Sequence, residues 1–248
     1  MSFQEVQLHF PVDPIINSEQ LQSKIETYLG AVELAQGDSS WSVIHPGGRT
    51  IVSRVGNPAV SEREELIQQS WSCSDPAERL EGCSYALLVM ESPDPDLSAL
   101  KRIEFFHGVL RAVTELTAPS ALVFCHAQQV VDPQDYLQAC DEPPMLRPGP
   151  LNVRFFDLAD SPGEMLMDTR GLHELGLPDV QCHFRELDPE RVHQVIFNTA
   201  CYLYENGPVI EPGQSVPGIK RGTTWACRYE DSRMGPSRMV LVLDPGKR

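Results

Sequence analysis

The sequence predicts an α+β fold in two lobes, each a mixed or antiparallel sheet with packed helices. Residues 41–55 place β-branched runs on either side of His45-Pro46-Gly47-Gly48, the pattern of an antiparallel hairpin. Residues 83–127 and 178–211 share one order: strand, Asp-Pro-rich cap, amphipathic helix, strand. Between them, residues 140–150 concentrate four prolines and a glycine, which sustain neither a helix nor a central strand. The lobes are therefore placed at 1–140 and 151–248 with a Pro-rich linker at 141–150. The shared order suggests an internal duplication of a strand-helix-strand unit.

In the first lobe, Val6, Leu8 and Phe10 alternate with Glu5, Gln7 and His9, the two-residue period of a half-buried strand. A helical stripe through Leu21, Ile25, Tyr28 and Leu29 follows and stops at Gly30. After the hairpin, Ser61 and Glu64 form a capping box that starts a helix over 61–72, and Asp75-Pro76 opens a further helical turn. Residues 83–92 read as a buried strand, 97–116 as a long helix carrying Ile103, Phe106, Leu110 and Val113, and 120–127 as the returning strand. Asp132-Pro133 caps a short helix over 133–140.

In the second lobe, strands fall at LNVRFFDL, GEMLMDT and PDVQCHFREL, with a turn of helix at GLHELG. Asp188-Pro189 caps the clearest helix in the chain, with Val192, Val195, Ile196, Thr199 and Leu203 on one face and Asn206-Gly207-Pro208 as its stop. Strands at VIEP, TTWACRYE and SRMVLVLD complete the lobe.

Hydrophobic residues make up 41% and charged residues 22% of the 248, enough apolar material for a core that needs no metal or disulfide staple. The opening MSFQEVQLHFPVD has no basic start followed by an apolar run, and no stretch reaches the roughly 18 apolar residues of a membrane span. A cytoplasmic protein with no membrane partner is expected. Seven cysteines, odd in number and without CxxC spacing, read as free thiols in a reducing compartment. A net charge of −15 disfavours nucleic acid as a partner. The charge is uneven: residues 1–150 carry 9 basic and 21 acidic side chains, and residues 151–248 carry 11 and 14. The acidic half is either a solvated surface or a face that attracts a basic protein.

No glycine cluster bridges a strand to a helix as a phosphate cradle requires: Gly47-Gly48 lies between strands, and residues 213–218 lack the following lysine and helix. The Gly-x-Ser-x-Gly elbow is absent. Cys125-His126 and Cys182-His183 each sit in a predicted strand, where neighbouring side chains point to opposite faces, so neither forms a thiol-imidazole pair. His173, His183 and His193 recur every ten residues, with Glu174 and Asp179 as candidate carboxylates, yet without helical ligand spacing. Glu64-Glu65, Asp94 with Asp96, and Asp141-Glu142 lie in polar or proline-rich segments and read as caps or solvated faces. Trp41, Trp71 and Trp225 read as core or interface anchors. No catalytic, cofactor or metal residues are expected.

The segment Thr169-Arg170-Gly171-Leu172-His173-Glu174-Leu175-Gly176-Leu177-Pro178-Asp179-Val180-Gln181 resembles the T-x-G-L-x-x-L-G-L-P-[DE]-[LIV] signature of the bacterial domain-of-unknown-function 4261 family. The helix at 189–205 leading into 207–218, and the long helix at 97–116 after a buried strand, are similar to that family too. The likeness is dense over 150–248 and looser over 30–140. The family has no agreed enzymatic activity, so the resemblance transfers no catalytic residue. Its association with secretion-system and polymorphic-toxin genes implies a cognate immunity role. Read physically, Gly171 and Gly176 bound a short helix, Leu172, Leu175 and Leu177 pack inward, and Pro178 starts the next strand.

The chain is thus expected to be an immunity protein that neutralises a basic toxin domain, of a type VI or polymorphic system, by direct binding. Two alternatives stay open. One is an enzyme using His126, His173 or His183 with nearby carboxylates; the other is a structural component of a secretion apparatus.

Overall fold

A computed structural model of the chain describes residues 3–56, 63–92, 94, 96–143, 147–158 and 161–246. These hold six α-helices and thirteen strands in two sheets, an α+β fold. The chain divides into two compact units, Met1–Pro150 and Leu151–Arg248.

In the first unit, β1 (Glu5–Phe10), β2 (Glu33–Gln36), β3 (Ser40–His45), β4 (Gly48–Gly56), β5 (Tyr85–Ser92), β6 (Ala121–Phe124) and β7 (Gln129–Val131) form one sheet in the order β2-β3-β4-β5-β1-β6-β7. Every pairing in it is antiparallel. The alternation read in β1 works as expected: Val6, Leu8 and Phe10 enter one core, together with Leu87 and Val89 of β5 and Leu122 and Phe124 of β6. Onto that face pack α1 (Ser18–Leu29), α4 (Ala99–Thr117) and α5 (Pro133–Gln138), through Leu21 and Ile25, Phe106 and Leu110, and Tyr136.

The opposite face is covered differently. Ala121, Val123 and Val130 of β6 and β7 meet Leu66 of α2 (Arg63–Gln68) and Leu80 of α3 (Pro76–Leu80). Caps stand where polar residues precede the apolar stripe: the Asn17, Ser98 and Asp132 side chains accept from Gln20, Lys101 and Gln134 main-chain N–H groups. The 147–150 turn closes onto this unit, and Gly149 lies against the Phe124 ring.

In the second unit, β8 (Asn152–Asp157), β9 (Glu164–Arg170), β10 (Asp179–Arg185), β11 (Ser215–Pro217), β12 (Thr224–Asp231) and β13 (Met239–Asp244) take the order β11-β12-β13-β10-β9-β8. The β10–β13 pair is parallel and the others are antiparallel. The helix α6 (Pro189–Asn206), capped by Asp188, packs across β8, β9 and β10. Alternation along β10 puts the buried Val180, Cys182 and Phe184 on one side of the sheet and Asp179, Gln181 and His183 on the other.

Several boundaries differ from the sequence reading. The VIEP segment forms no strand; residues 207–211, hemmed by Gly207, Pro208 and Pro212, run irregularly, and the Ile210 carbonyl accepts from the Tyr229 hydroxyl. The short strands β2, β7 and β11 carry too few residues to show a period. The helix expected over 61–72 is limited to 63–68 among the described residues, and Ser61 of its capping box lies outside them. The strand expected over 120–127 ends at Phe124 and is followed by a turn at 125–128.

Candidate functional site

The densest chemistry lies in the second unit, on the polar side of its sheet. Antiparallel register sets Arg154 beside Asp168 and Asp168 beside Gln181, and Asp179 begins the same strand as Gln181. These charges are almost wholly removed from water: Arg154 is 2% exposed, and Asp168 and Asp179 are at 0%. A buried charge persists only when paired and hydrogen-bonded, and here the pairing is complete. Arg154 grips Asp168 with both prongs of its guanidinium, Nε to Oδ1 at 2.9 Å and Nη2 to Oδ2 at 2.6 Å. Arg238, at the entry to β13, donates from Nη2 to Asp168 Oδ2 at 3.0 Å and from Nε to Asp179 Oδ2 at 2.8 Å. Asp179 Oδ1 accepts from the Thr169 hydroxyl at 3.0 Å and the Leu172 N–H at 3.2 Å.

The network ties down the connection between β12 and β13, residues 232–238. Arg238 Nη1 donates to the Ser232 hydroxyl and to the Met234 and Pro236 carbonyls. The Gln181 amide oxygen accepts from the Arg233 N–H, and the Gly235 carbonyl accepts from Arg154 and Arg170. The signature segment therefore does more than turn the chain: Thr169 and Asp179 anchor the network. Gly171 (φ 129°) and Gly176 (φ 79°) take backbone conformations open to glycine. Burial, and then Asp179, raises the Glu174 pKa. Burial, followed by the Arg238 and Arg154 charges, lowers that of Arg170.

The histidines singled out from the sequence do not meet. His126 lies in the 125–128 turn, its Nδ1 at the Glu5 backbone. Cys125-His126 is thus not a strand dipeptide, and burial raises the Cys125 thiol out of reach of ionisation. His173 sits in a single 3-10 turn, and His193 on α6 stacks on Phe197. In β10, Cys182 is fully buried with its pKa pushed up to about 12 by burial, while His183 turns to the other side. There, His183 Nδ1 contacts Arg233 Nη1 at 3.1 Å, and Nε2 stands 2.8 Å from Glu164. Among the described residues, no three His, Cys, Asp or Glu side chains group to hold a metal. A cavity of about 10 Å³ under Gln181, His183, Arg228 and Arg233 has room for about one water.

In the first unit, the notable surface is the α2–α3 connection. Trp71 is 67% exposed, whereas Trp41 is buried at 4% and donates its indole N–H to the Ser18 hydroxyl, and Trp225 is buried at 3%. Three residues beyond Trp71 begins an open depression of about 400 Å³ lined by Ser74, Asp75, Glu78, Arg79, Glu81 and Ser120. Its one cation, Arg79, is ion-paired with Asp132, so the exposed Asp75, Glu78 and Glu81 leave it acidic. The other carboxylate pairs serve locally. Asp94 accepts from the Asp96 N–H, Asp141 pairs with Arg111, and Glu64 and Glu65 fall in the first turn of α2.

Sequence reasoning missed Arg154, Asp168 and Arg238. The signal was a charge inside an apolar strand, Arg154 in LNVRFFDL and Asp168 in EMLMDT, since such a charge needs a buried partner.

Residues 168–244 match the model of a domain of unknown function, DUF4261. The resemblance read from Thr169 to Gln181 is borne out over that span, which runs from one network residue, Asp168, through Asp179 and Arg238 to the end of β13. No curated protein and no solved structure matches the chain. No helix among the described residues is long and apolar enough to cross a membrane.

Proposed function

We propose that this chain is a bacterial cytoplasmic protein-binding protein, an immunity protein that neutralises a basic toxin of a type VI or polymorphic secretion system by occupying it directly. The observation that supports the reading is Trp71, a largely exposed tryptophan leading into an acidic depression. An exposed indole is costly to leave in water and is the commonest anchor of protein interfaces. The surrounding carboxylates steer a basic partner in and fix its orientation. The wider charge supports it as well: residues 1–150 hold 9 basic against 21 acidic side chains, and Lys24, Arg54, Arg79, Arg102 and Arg111 are already engaged in ion pairs.

Co-expression of the full chain with the product of the adjacent gene tests the proposal. A captured complex, association that slows steeply as salt rises, and protection of the cell are expected. Charge reversal by Glu78→Lys with Glu81→Lys slows association, and Trp71→Ala speeds dissociation. Absence of both complex and protection makes the immunity reading wrong.

A further inference from the structure

On the polar side of β10, His183 stands between a carboxylate and a guanidinium. Antiparallel register sets Leu166 opposite His183 and Glu164 opposite Arg185, so Glu164 reaches the ring diagonally across the same face. Its carboxylate lies 2.8 Å from Nε2. On the other side of the ring, Arg233 of the 232–238 connection brings Nη1 to 3.1 Å from Nδ1. A guanidinium has donors only, so Nδ1 is the acceptor. His183 is therefore the neutral imidazole with its proton on Nε2, the nitrogen beside Glu164.

Protonation keeps one of these contacts and reverses the other. The imidazolium carries N–H at both nitrogens: Nε2–H still faces Glu164, now as an ion pair, whereas Nδ1–H is turned on a donor of its own charge. The remaining charges nearby do not rescue that contact. Asp244 is committed through both oxygens, to Arg228 and to the Gly246 N–H, and Arg228 is bound to Glu230 as well. Arg185, the next residue on the same face of β10, adds a further cation and is exposed. Arg233 is the group free to yield. It is exposed, and its main-chain N–H, not its guanidinium, ties the connection to the Gln181 amide oxygen at 3.0 Å. Its side chain covers the cavity of about 10 Å³ that it lines with Gln181, His183 and Arg228.

We propose that His183 is a pH-operated latch on the side chain of Arg233: neutral, it holds the guanidinium over the cavity; charged, it releases the guanidinium to solvent and pairs with Glu164 alone. Imidazole is the side chain that changes charge between pH 5 and 8, and at 16% and 23% exposure the His183 and Glu164 side chains exchange protons with water. The backbone stays in place when the latch opens, because the Arg233 N–H and the buried Arg238 continue to hold the connection. Opening is confined to the cavity. The latch lies in the second unit and is independent of the acidic face assigned to the basic partner.

The test follows the full chain, labelled with nitrogen-15 and carbon-13, by nuclear magnetic resonance from pH 8 to 5.5. At pH 8 the His183 ring should show a protonated Nε2 and a bare Nδ1, and the Arg233 Cδ–H signals should differ from those of a free arginine. As pH falls, those signals should move to the free-arginine position with the same midpoint as the His183 ring. His183→Asn places an amide oxygen near the Nδ1 position and cannot titrate, so it should hold the Arg233 signals constant across the range. Glu164→Gln removes the charge that favours the imidazolium and should move the release to lower pH; Arg233→Gln removes the opposing charge and should move the ring titration to higher pH. A proton on Nδ1 at pH 8, Arg233 signals indifferent to the ring, or a ring titration that Arg233→Gln leaves in place overturns the proposal. Should a variant fail to fold, the native titration decides by itself: a shared midpoint for His183 and Arg233 sustains the latch, and separate behaviour removes it.

Discussion

Asp179 and Arg238 are 59 residues apart in sequence and meet at 2.8 Å, with both side chains at most 1% exposed. The parallel pairing of β10 with β13, which sets Asp179 opposite Val240, brings them together. The bond fixes where the β12–β13 connection re-enters the sheet.

Asp179→Asn leaves the Arg238 guanidinium buried with one counter-charge fewer. Removing one member of a buried, hydrogen-bonded pair costs about 3–5 kcal/mol. Urea unfolding, followed through Trp225 after Trp41 and Trp71 are changed to Phe, reports on the second unit alone. A loss under about 1 kcal/mol would mean that the network behaves like a surface ion pair.

The first unit weakens in acid because of two buried histidines. His9 is held at a pKa of about 4, by burial and then by the Arg63 charge. His107, fully buried with Nδ1 at 2.8 Å from the Tyr136 hydroxyl, is held well below its usual value by burial, then by Arg147 and His126. Both folded values lie below the unfolded 6.5. Above about pH 7 both states are neutral and nothing is lost; below 6.5 the unfolded chain takes up protons first, and stability falls. For His9 the loss is about 2 kcal/mol by pH 5 and levels off below pH 4. Stability measured between pH 7.5 and 5 should slope down, and His9→Leu should flatten the slope in proportion.

The same unit shows what the sequence could reveal. Val6, Leu8 and Phe10 disclosed β1, and Asp132 and Asp188 disclosed helix starts, because alternation and capping are local physics written within four residues. Asp179 was legible as the polar end of a motif and as a candidate carboxylate ligand, but not as a member of a buried ion-pair network. Its partners come from β9 and from the entry to β13, and no local period encodes a contact across 59 residues. Trp71 failed to declare itself for a similar reason: burial is decided by what the chain brings over a side chain, and that spared Trp71 while covering Trp41 and Trp225.

Trp71→Ala should leave folding almost untouched. At 67% exposure, the indole contributes little to the core, and surface changes of this kind fall within about 0.5 kcal/mol. Thermal melts of the variant and the native chain should coincide, so any loss of partner binding reports the interface itself. A clear fall in melting temperature would show instead that Trp71 braces the α2–α3 connection.

Gly149→Ala should be among the most damaging small changes in the first unit. Gly149 has φ at +113°, a region that side chains avoid, and a Cβ there would stand 2.3 Å from Cε2 and Cζ of Phe124. The ring has nowhere to go: it is fully buried, with His107 and Tyr136 at centroid distances of 6.3 and 6.0 Å. Strain and overpacking together cost roughly 3 kcal/mol. Gly108→Ala offers the control. Its Cβ would lie 2.5 Å from Leu29 Cδ2 and 2.8 Å from Cγ, so the half-buried Leu29 side chain must swing aside as a whole, a cost that the gain of about 1 kcal/mol from replacing a helical glycine offsets. Urea unfolding of the two variants should therefore show a large loss for Gly149→Ala and a near-neutral Gly108→Ala. Equal losses would mean that the Phe124 ring yields as readily as the Leu29 side chain, and that the 147–150 turn is not held against the core.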